Sequence, residues 1–217
     1  MMKDIKVIVT DLSEVLIGGM VGIGAIIEKT YGLDAHRTLS NRLAVTKSEF
    51  FDLMRGRLNE QEYWSLVLSG GEWPDDFSIE KMMELFSKNM QKKIPQTLAI
   101  YKSAMLPNGA RPAFYSLSDH IAGRVASLFV WHKDVFSFMD KCYWSFDMGV
   151  IKRDYDSFDI FLEKAGLDRK EIIFIDDSEE NIASAKKSGI LSIRFKDSNQ
   201  IKNALKDHGL IFDPIQL

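Results

Sequence analysis

The feature that most constrains the fold is a strand–helix–strand unit near the carboxyl end of the sequence. In EIIFIDDSEENIASAKKSGILSIRF, residues 171–195, an apolar run ends on two aspartates, a polar helical stretch follows, and Gly189 precedes a second apolar run. This order is typical of a βαβ unit. Ser178 is a suitable helix N-cap, with Glu179 and Glu180 in the first turn. The unit predicts parallel strands in a sheet covered by helices on both faces.

Earlier segments extend this alternation of strands and helices. A β-branched run at residues 7–9 and aromatic-rich runs within 111–120 and 142–149 are typical of short buried strands. The predicted helices lie at residues 97–105, 121–129 and 156–165, and Gly166 is suited to end the last of them. Strands that alternate with helices in this way predict one parallel sheet.

Residues 18–93 have a different pattern. Apolar residues recur there at helical spacing, and Asn59 followed by Glu62 is typical of a capped helix start. The pattern predicts four or five helices and no sheet. We therefore predict an α/β fold with a Rossmann-like, doubly wound parallel sheet formed by residues 1–17 and 94–217. Residues 18–93 would be a small α-helical cap domain inserted after the first strand.

Composition excludes several classes of partner. The 217-residue chain has a net charge of −3 and no cluster of Lys and Arg, which argues against nucleic acid and a polybasic membrane contact. Its longest apolar stretch, residues 15–27, contains four glycines and is shorter than the roughly 20 residues of a membrane span. The first apolar run is too short for a signal-peptide core, and Cys142 is the single cysteine. We expect a cytoplasmic protein.

Polar side chains follow four of the predicted strands. They are Asp11 after the first, Ser116, Ser118 and Asp119 after the second, Lys152 after the third, and Asp176 and Asp177 after the fourth. Ligands of open parallel sheets bind beyond the carboxyl ends of the strands, so we expect these groups to share one crevice. Carboxylates are hard ligands suited to Mg²⁺, whereas Ser118 and Lys152 suit the oxygens of a phosphate. A carboxylate kept ionised beside Mg²⁺ and a lysine can attack phosphorus.

Each of these residues, taken alone, also has a structural interpretation. An aspartate after a strand is commonly a turn former, and the pair Asp176–Asp177 would favour a helix N-terminus through the helix dipole. His120 fits either the start of a helix or a contact to substrate, and the other histidines form no metal-ligand pattern. The choice between substrate selection and ordinary helix packing is open for three residues of the helical segment: Arg55, Arg57 and Trp64.

Four motifs, in this order, resemble those of the haloacid dehalogenase-like (HAD) superfamily. They are VIVTDLSEVL, AFYSLSDH, MGVIKRD and IFIDDSEENIASAKKSGI, and together they span residues 7–195. The helical insertion after the first motif is similar to the small α-helical cap of that family. The resemblance implies Mg²⁺ as the cofactor and a small phosphorylated molecule as the substrate.

The resemblance also implies a role for each matched residue. Asp11 would be the nucleophile that becomes phosphorylated, assisted by Ser118 and Lys152 as catalytic residues. Asn181 would support the acidic loop. The predicted phosphate-binding residues are Ser118, Asp119 and Lys152. The predicted metal ligands are Asp11, Asp176, Asp177 and the backbone carbonyl of Ser13, with Asp176 binding either directly or through water.

Two positions depart from the pattern of the family. Most family phosphatases have an aspartate two residues after the nucleophile as the general acid–base, and this chain has Ser13. A serine does not protonate a leaving group as a carboxylic acid does, although some branches of the family also lack the second acid. Glu14 is a neighbouring substitute. The second departure is Arg153, where this branch usually has proline, and it is expected to loosen the loop that carries Lys152.

These observations favour an Mg²⁺-dependent phosphatase of a small metabolite that acts through an aspartyl-phosphate intermediate. The first alternative is a 2-haloacid dehalogenase, in which Asp11 attacks carbon and displaces halide. That chemistry needs no metal, so Asp176 and Asp177 argue against it. The second alternative is a catalytically weak HAD-fold binding protein, which Ser13 keeps open. The Trp- and Met-rich helical segment also leaves room for a homodimer.

Overall fold

The centre of the molecule is a five-stranded parallel sheet. The computed structural model describes residues 4–19 and 23–213. Within them, the sheet has the order β4-β3-β1-β5-β6. Its strands are β1 (Val7–Thr10), β3 (Ala113–Ser118), β4 (Lys141–Trp144), β5 (Ile172–Asp176) and β6 (Leu191–Arg194). Every residue of β1 and β5 is buried, as expected for central strands of a sheet covered on both faces.

Alternate residues of β1 enter two hydrophobic cores. Val7 and Val9 belong to one core and Ile8 to the other, because successive strand side chains point to opposite faces. The helices outside the segment 23–90 are α6 (Pro95–Ser103), α7 (Val125–Trp131), α8 (Lys133–Phe136), α9 (Ser145–Met148), α10 (Ser157–Ala165), α11 (Glu179–Lys187) and α12 (Ser198–Asp207). The predicted doubly wound α/β fold is therefore confirmed.

The strand order fixes where a ligand has room to bind. The chain passes from β1 to β3 and β4 on one side of the sheet, then returns to build β5 and β6 on the other. The helical connections therefore diverge at the carboxyl ends of β1 and β5, which leaves a crevice there. Asp11 and Asp177 immediately follow these two strands, and Asp176 is the last residue of β5.

The segment between β1 and α6 contains five helices among its described residues. They are α1 (Ile23–Tyr31), α2 (Leu33–Val45), α3 (Lys47–Met54), α4 (Glu60–Leu68) and α5 (Ile79–Met90). The predicted start of α4 is confirmed, because Asn59 and Glu62 form a reciprocal capping box. None of these helical residues adds a strand to the sheet. The boundary of a separate cap domain at 18–93 stays a prediction.

The two ends of this helical segment lie side by side. The backbone N–H of Gly18 donates to the carbonyl of Lys92 at 2.9 Å, and that of Ile94 donates to the carbonyl of Leu16 at 3.0 Å. A buried ion pair also joins the segment to the rest of the chain. The Nε of Arg124, in a 3₁₀ turn at Ala122–Arg124, lies 2.7 Å from Oε2 of Glu60 in α4.

Three sequence predictions need correction at their ends. The predicted helix 97–105 ends at Ser103, and Ala104–Met105 instead forms β2, which pairs antiparallel with β7 (Ile211–Phe212). A two-residue strand is too short to interrupt a helical periodicity, so no sequence pattern predicts it. The predicted strand within 142–149 ends at Trp144, where α9 begins. The predicted helix 121–129 starts as the 3₁₀ turn and runs on to Trp131.

Some predicted boundaries fall outside the described residues. They are the first three residues and the last four of the predicted core, and residues 20–22 of the predicted cap. Within the described ranges, no helix has both the length and the apolar character that crossing a bilayer requires.

Candidate active site

Asp11 lies where β1 meets the crevice. Its backbone N–H donates to the carbonyl of Ile175 at 2.8 Å, which continues the β1–β5 pairing by one residue. Its carboxylate Oδ1 accepts the N–H of Leu12 at 2.8 Å. The side chain is almost fully buried, with 6% of Asp11 exposed. The end of a rigid central strand therefore holds this carboxylate in one orientation.

Lys152 joins the carboxyl ends of β1 and β5. Its Nζ lies 3.0 Å from Oδ1 of Asp11 and 2.6 Å from Oδ2 of Asp176. Its backbone N–H donates to Oδ1 of Asp119 at 3.0 Å. The whole residue is buried. Asp119, predicted to bind phosphate, therefore uses its carboxylate to hold the loop that presents Lys152.

The acidic loop after β5 is ordered by its own helix start. Oδ1 of Asp176 accepts the backbone N–H of Ser178 at 2.8 Å, and both its oxygens accept Nδ2 of Asn181 at 3.1 Å. The Ser178 hydroxyl caps α11. Asn181 thus contacts the acidic loop through Asp176, as the resemblance implied. Carboxylate oxygens of Asp11, Asp176 and Asp177 all lie within 4.8 Å of one another.

Burial and mutual charge decide the protonation of this cluster. Burial raises the pKa of Asp11 to about 7; Lys152 opposes this, and the charge of Asp176 adds to it. Burial, followed by the charge of Asp176, also raises the pKa of Asp177. Burial lowers the pKa of Lys152, but Asp11, Asp176 and Asp119 together raise it above its ordinary value. One fixed ammonium therefore faces several carboxylates that resist ionisation.

Ser118 brings a hydroxyl to the same edge of the sheet. It is the last residue of β3 and is fully buried, and its Oγ has no hydrogen-bond partner among the described residues. Buried hydroxyls are normally hydrogen-bonded, so an orphaned one indicates a missing partner. A phosphoryl oxygen is one group that would satisfy it.

Ser13 and Glu14 form the turn after the predicted nucleophile. Glu14 has φ of 60°, the one non-glycine residue with positive φ in the described part of the chain. This conformation is uncommon for a residue with a side chain. Its Oε1 accepts the N–H of Gly19 at 2.9 Å. The turn directs the Ser13 and Glu14 side chains toward the crevice, where both line its cavity.

That cavity, of about 240 Å³, lies between the acidic cluster and the helical segment. Sequence reasoning missed most of its walls. They come from α3 and α5 and are apolar: Phe50, Phe51, Met54, Phe86 and Met90. The pairs Phe50–Met54 and Phe86–Met90 have the i,i+4 spacing of neighbours on one helix face. Core residues have the same spacing, so the sequence could not separate the two uses.

For Trp64 and Arg55, the structure favours ordinary packing over contact with a substrate. Trp64 is fully buried, and its Nε1 donates to Glu60 at 3.1 Å. Arg55 donates through Nε to Oδ2 of Asp154 at 2.9 Å, which ties α3 to the loop after Lys152. Arg57 is exposed and pairs with Asp52. None of the three is among the described residues that line the cavity.

Arg153 and His120 do line the cavity. Arg153 pairs with Glu180 at 2.6 Å and lies 4.7 Å above the ring of Phe51. These two contacts tie the loop after Lys152 to its neighbours, so the expectation that Arg153 loosens this loop is wrong. His120 is 5% exposed, and its Nδ1 accepts the N–H of Ile121 at 2.9 Å.

The donor set suits a divalent cation. Three carboxylates converge here against one lysine, so their full ionisation leaves excess negative charge in a buried place. The Asp177 carboxylate and the Ser13 carbonyl accept no hydrogen bond from another described residue. Hard oxygen donors of this kind are the ligands that Mg²⁺ prefers.

Sequence comparison finds no match, whereas structural comparison finds a shared fold. No protein-family model matches the sequence, and a search of curated proteins finds no significant match. The fold matches those of solved structures, and it is the HAD-like fold that the resemblance of the motifs implied.

Three of these structures illustrate the match. A HAD family enzyme from Bacteroides thetaiotaomicron has a TM-score of 0.70 at 20% identity, covering 94% of this chain and 99% of that chain. A predicted HAD-like family hydrolase from Porphyromonas gingivalis has a TM-score of 0.70 at 22% identity, covering 94% and 97%. L-2-haloacid dehalogenase from Xanthobacter autotrophicus has a TM-score of 0.62 at 14% identity, covering 98% and 86%. The structure of the Bacteroides enzyme has also been solved in complex with magnesium and inorganic phosphate.

Proposed function

We propose that this protein is an Mg²⁺-dependent hydrolase that removes phosphate from a small monoester. The observation that carries the proposal is the position of Lys152 between Asp11 and Asp176, at 3.0 and 2.6 Å, with Asp177 beside them. This arrangement puts a nucleophile, a cation for phosphate and a set of metal ligands at one strand edge. The magnesium and phosphate bound by the Bacteroides enzyme of the same fold support it.

Asp11, Asp176, Asp177 and the Ser13 carbonyl would hold the metal. When bound, Mg²⁺ would neutralise charge on the phosphoryl group and keep the carboxylates ionised. Lys152, whose Nζ lies 3.0 Å from Oδ1 of Asp11, would supply a second positive charge. The Ser118 hydroxyl, which has no described partner, would donate to a phosphoryl oxygen.

The reaction would proceed in two displacements at phosphorus. An oxygen of Asp11 forms a bond to phosphorus while the ester P–O bond breaks, and the leaving oxygen takes that electron pair and then a proton from water. A water molecule next attacks phosphorus and loses a proton to solvent. The bond between phosphorus and Asp11 breaks, which returns the carboxylate and releases inorganic phosphate.

A panel of phosphate monoesters, assayed with and without Mg²⁺, tests this function. We expect phosphate release that requires Mg²⁺ and disappears in Asp11→Asn. Acetyl phosphate belongs in the panel because its leaving group needs no proton. Absence of phosphate release from every ester, acetyl phosphate included, would contradict the proposal.

A second candidate, 2-haloacid dehalogenation, is favoured by the apolar walls of the cavity and by a fold shared with a haloacid dehalogenase. Asp11 would then displace halide from carbon, and water would hydrolyse the resulting ester. Chloride release from 2-chloropropionate in the presence of a chelator identifies this reaction. Neither chloride nor phosphate release would favour the third possibility, a HAD-fold binding protein.

A further inference from the structure

We infer that the site takes monoesters whose organic group is compact, uncharged and mostly apolar, with one hydrogen-bond acceptor that meets His120. This inference rests on the proposed phosphatase function and names its substrate class. It comes from the cavity of about 240 Å³ beside the acidic cluster. That volume is below the roughly 300–1,000 Å³ of typical small-molecule pockets, so the organic group that fits it is compact.

The position of the cavity assigns it to the organic group. Asp119 and Asp177 line its inner end, and the carboxylate of Asp177 lies within 4.8 Å of that of Asp11. A phosphoryl group on Asp11 therefore has its ester oxygen directed into this space. The opposite walls are the aromatic and methionine side chains of α3 and α5, together with Ile121 and Ile151. Such walls bind apolar surface.

Charge in the lining disfavours a second anionic group on the substrate. Three carboxylates line the cavity, those of Glu14, Asp119 and Asp177. Arg153 is the one cationic side chain among the described lining residues, and its guanidinium already pairs with Glu180 at 2.6 Å. A carboxylate or second phosphate on the organic group would therefore meet like charges without a free partner.

His120 supplies a hydrogen-bonding group to the wall of the cavity. Its Nδ1 accepts the N–H of Ile121, and burial lowers its pKa to about 4, so the ring is neutral near pH 7. The proton of this neutral ring is therefore on Nε2. No described residue accepts a hydrogen bond from Nε2. The imidazole edge thus offers one hydrogen-bond donor beside the apolar side chains of the cavity.

A series of unbranched alkyl phosphates tests the apolar part. Their leaving groups have nearly equal pKa values, so differences in kcat/KM report binding of the chain. We expect kcat/KM to rise about fourfold for each buried methylene, until the cavity is filled. Glycerol phosphate and phosphoglycolate should be at least tenfold poorer than propyl and ethyl phosphate, respectively. A flat series, or a preference for the two polar esters, would overturn the inference while leaving the phosphatase function intact.

Substitution of Met54 tests whether the cavity sets the preferred length of the alkyl chain. Met54→Ala should move the optimum to a longer chain by about two carbons, because it enlarges the cavity. Met83→Ala, a change on α5 outside the cavity, is the matched control and should leave the optimum unchanged. Binding of alkylphosphonates, followed by thermal shift, gives the same chain-length trend without turnover. An optimum that moves equally in both variants would contradict this assignment of the cavity.

His120→Asn tests the hydrogen bond. The amide oxygen of asparagine keeps an acceptor for the N–H of Ile121 but removes the Nε2 donor. We expect ether isosteres of the alkyl phosphates to lose about three- to tenfold in kcat/KM relative to their parents. His120→Gln, which places an amide near Nε2, should restore part of this loss. Equal losses for ethers and parents in His120→Asn would mean that His120 is only structural. Failure of every ester, acetyl phosphate included, would overturn both this inference and the proposed function.

Discussion

Two groups of charged side chains in the interior of the molecule differ in the balance of their charges. Glu60 and Arg124 form one pair, with one carboxylate matched to one guanidinium that lies 2.9 and 2.7 Å from its two oxygens. The acidic cluster has three carboxylates, those of Asp11, Asp176 and Asp177, around the single ammonium of Lys152. The first group is balanced one to one, whereas full ionisation of the second would leave excess negative charge.

The difference separates a structural pair from a reactive site. The Glu60 carboxylate has further support from Trp64, and the Arg124 side chain also contacts Ser87 and the ring of Phe86. Every part of that pair is satisfied by protein groups. The acidic cluster is satisfied only when something positive joins it, whether protons or a metal ion. The balance of charge, more than burial itself, distinguishes the proposed active site from the structural ion pair.

Asp11→Asn gives the largest expected effect. Removal of the nucleophile should lower phosphate release by about 10⁴-fold or more, or roughly 5.5 kcal/mol of barrier. The same change relieves the charge excess, so the metal-free variant should unfold at a higher urea concentration than wild type at neutral pH. Steady-state kinetics and urea titration measure the two effects. A variant with lost activity and lower stability would mean that Asp11 is balanced like Glu60.

Ser13→Asp tests how the site functions without a second acid. General acid catalysis is worth about 10²–10⁴-fold, or roughly 3–5 kcal/mol. Wild type should therefore hydrolyse aryl and acyl phosphates far faster than alkyl phosphates, and the variant should gain chiefly on alkyl phosphates. The measurement is a series of esters of graded leaving-group pKa at saturating Mg²⁺. A shallow dependence in wild type would show that another group, such as Glu14, supplies the proton.

Glu60→Gln should lower the stability of the protein strongly and change its activity little. Breaking a buried ion pair by removing one partner costs about 3–5 kcal/mol, so the free energy of unfolding should fall by about that much. Activity per folded molecule should remain within about threefold of wild type. The double variant Glu60→Met, Arg124→Met is the control and should recover most of the stability, because neither charge is left unpaired. Urea unfolding monitored by tryptophan fluorescence gives these values.

Mg²⁺ binding gives the smallest effect, and its sign depends on pH. The pKa of Asp11 is about 7 when folded and 3.8 as the reference value, so the folded state binds more protons between these values. Without metal, stability should therefore fall as the pH rises from about 4 to about 7. Mg²⁺ at about 100 times its dissociation constant adds roughly 2.7 kcal/mol, and this gain should grow over the same pH range.

Thermal unfolding at several pH values, with Mg²⁺ or a chelator, measures that gain. Asp177→Asn should remove most of it and should stabilise the metal-free protein. Asp154→Asn is a control on a carboxylate outside the cluster, whose partner is Arg55. A melting temperature that does not change with millimolar Mg²⁺ at any pH would contradict the proposed metal site.

The sequence predicts the acidic cluster far better than the balanced pair. Asp11 follows the apolar strand β1, and Asp176 and Asp177 stand at the end of the apolar strand β5. Lys152 comes after β4 and α9, and parallel strands bring their carboxyl ends to one edge. Glu60 and Arg124 are 64 residues apart and lie on helices whose relative orientation no periodicity specifies. The pairing of β2 with β7 was hidden for a similar reason, because each is only two residues long.

The cavity walls lie between these two cases. The helical spacing of Phe50, Met54 and Phe86 is typical of apolar helix faces, but an apolar face fits a core and a substrate wall equally well. Only the three-dimensional arrangement shows that they face the carboxylates. The sequence left His120 open between a helix start and a substrate contact. Its Nε2, which has no partner among the described residues, is identified as the donor only once Nδ1 is placed on Ile121.

The side-by-side ends of the helical segment have a consequence for how such a protein can diversify. Because Gly18 and Lys92 are hydrogen-bonded to each other, any insertion that starts and finishes at this pair closes a loop whose ends are already together. The entropy of closing a loop grows only slowly with its length, by about 0.6 kcal/mol per doubling. Segments of very different size could therefore be exchanged at this junction without strain on β1. The segment that lines the cavity and the residues at the strand edge can therefore change independently of each other in evolution.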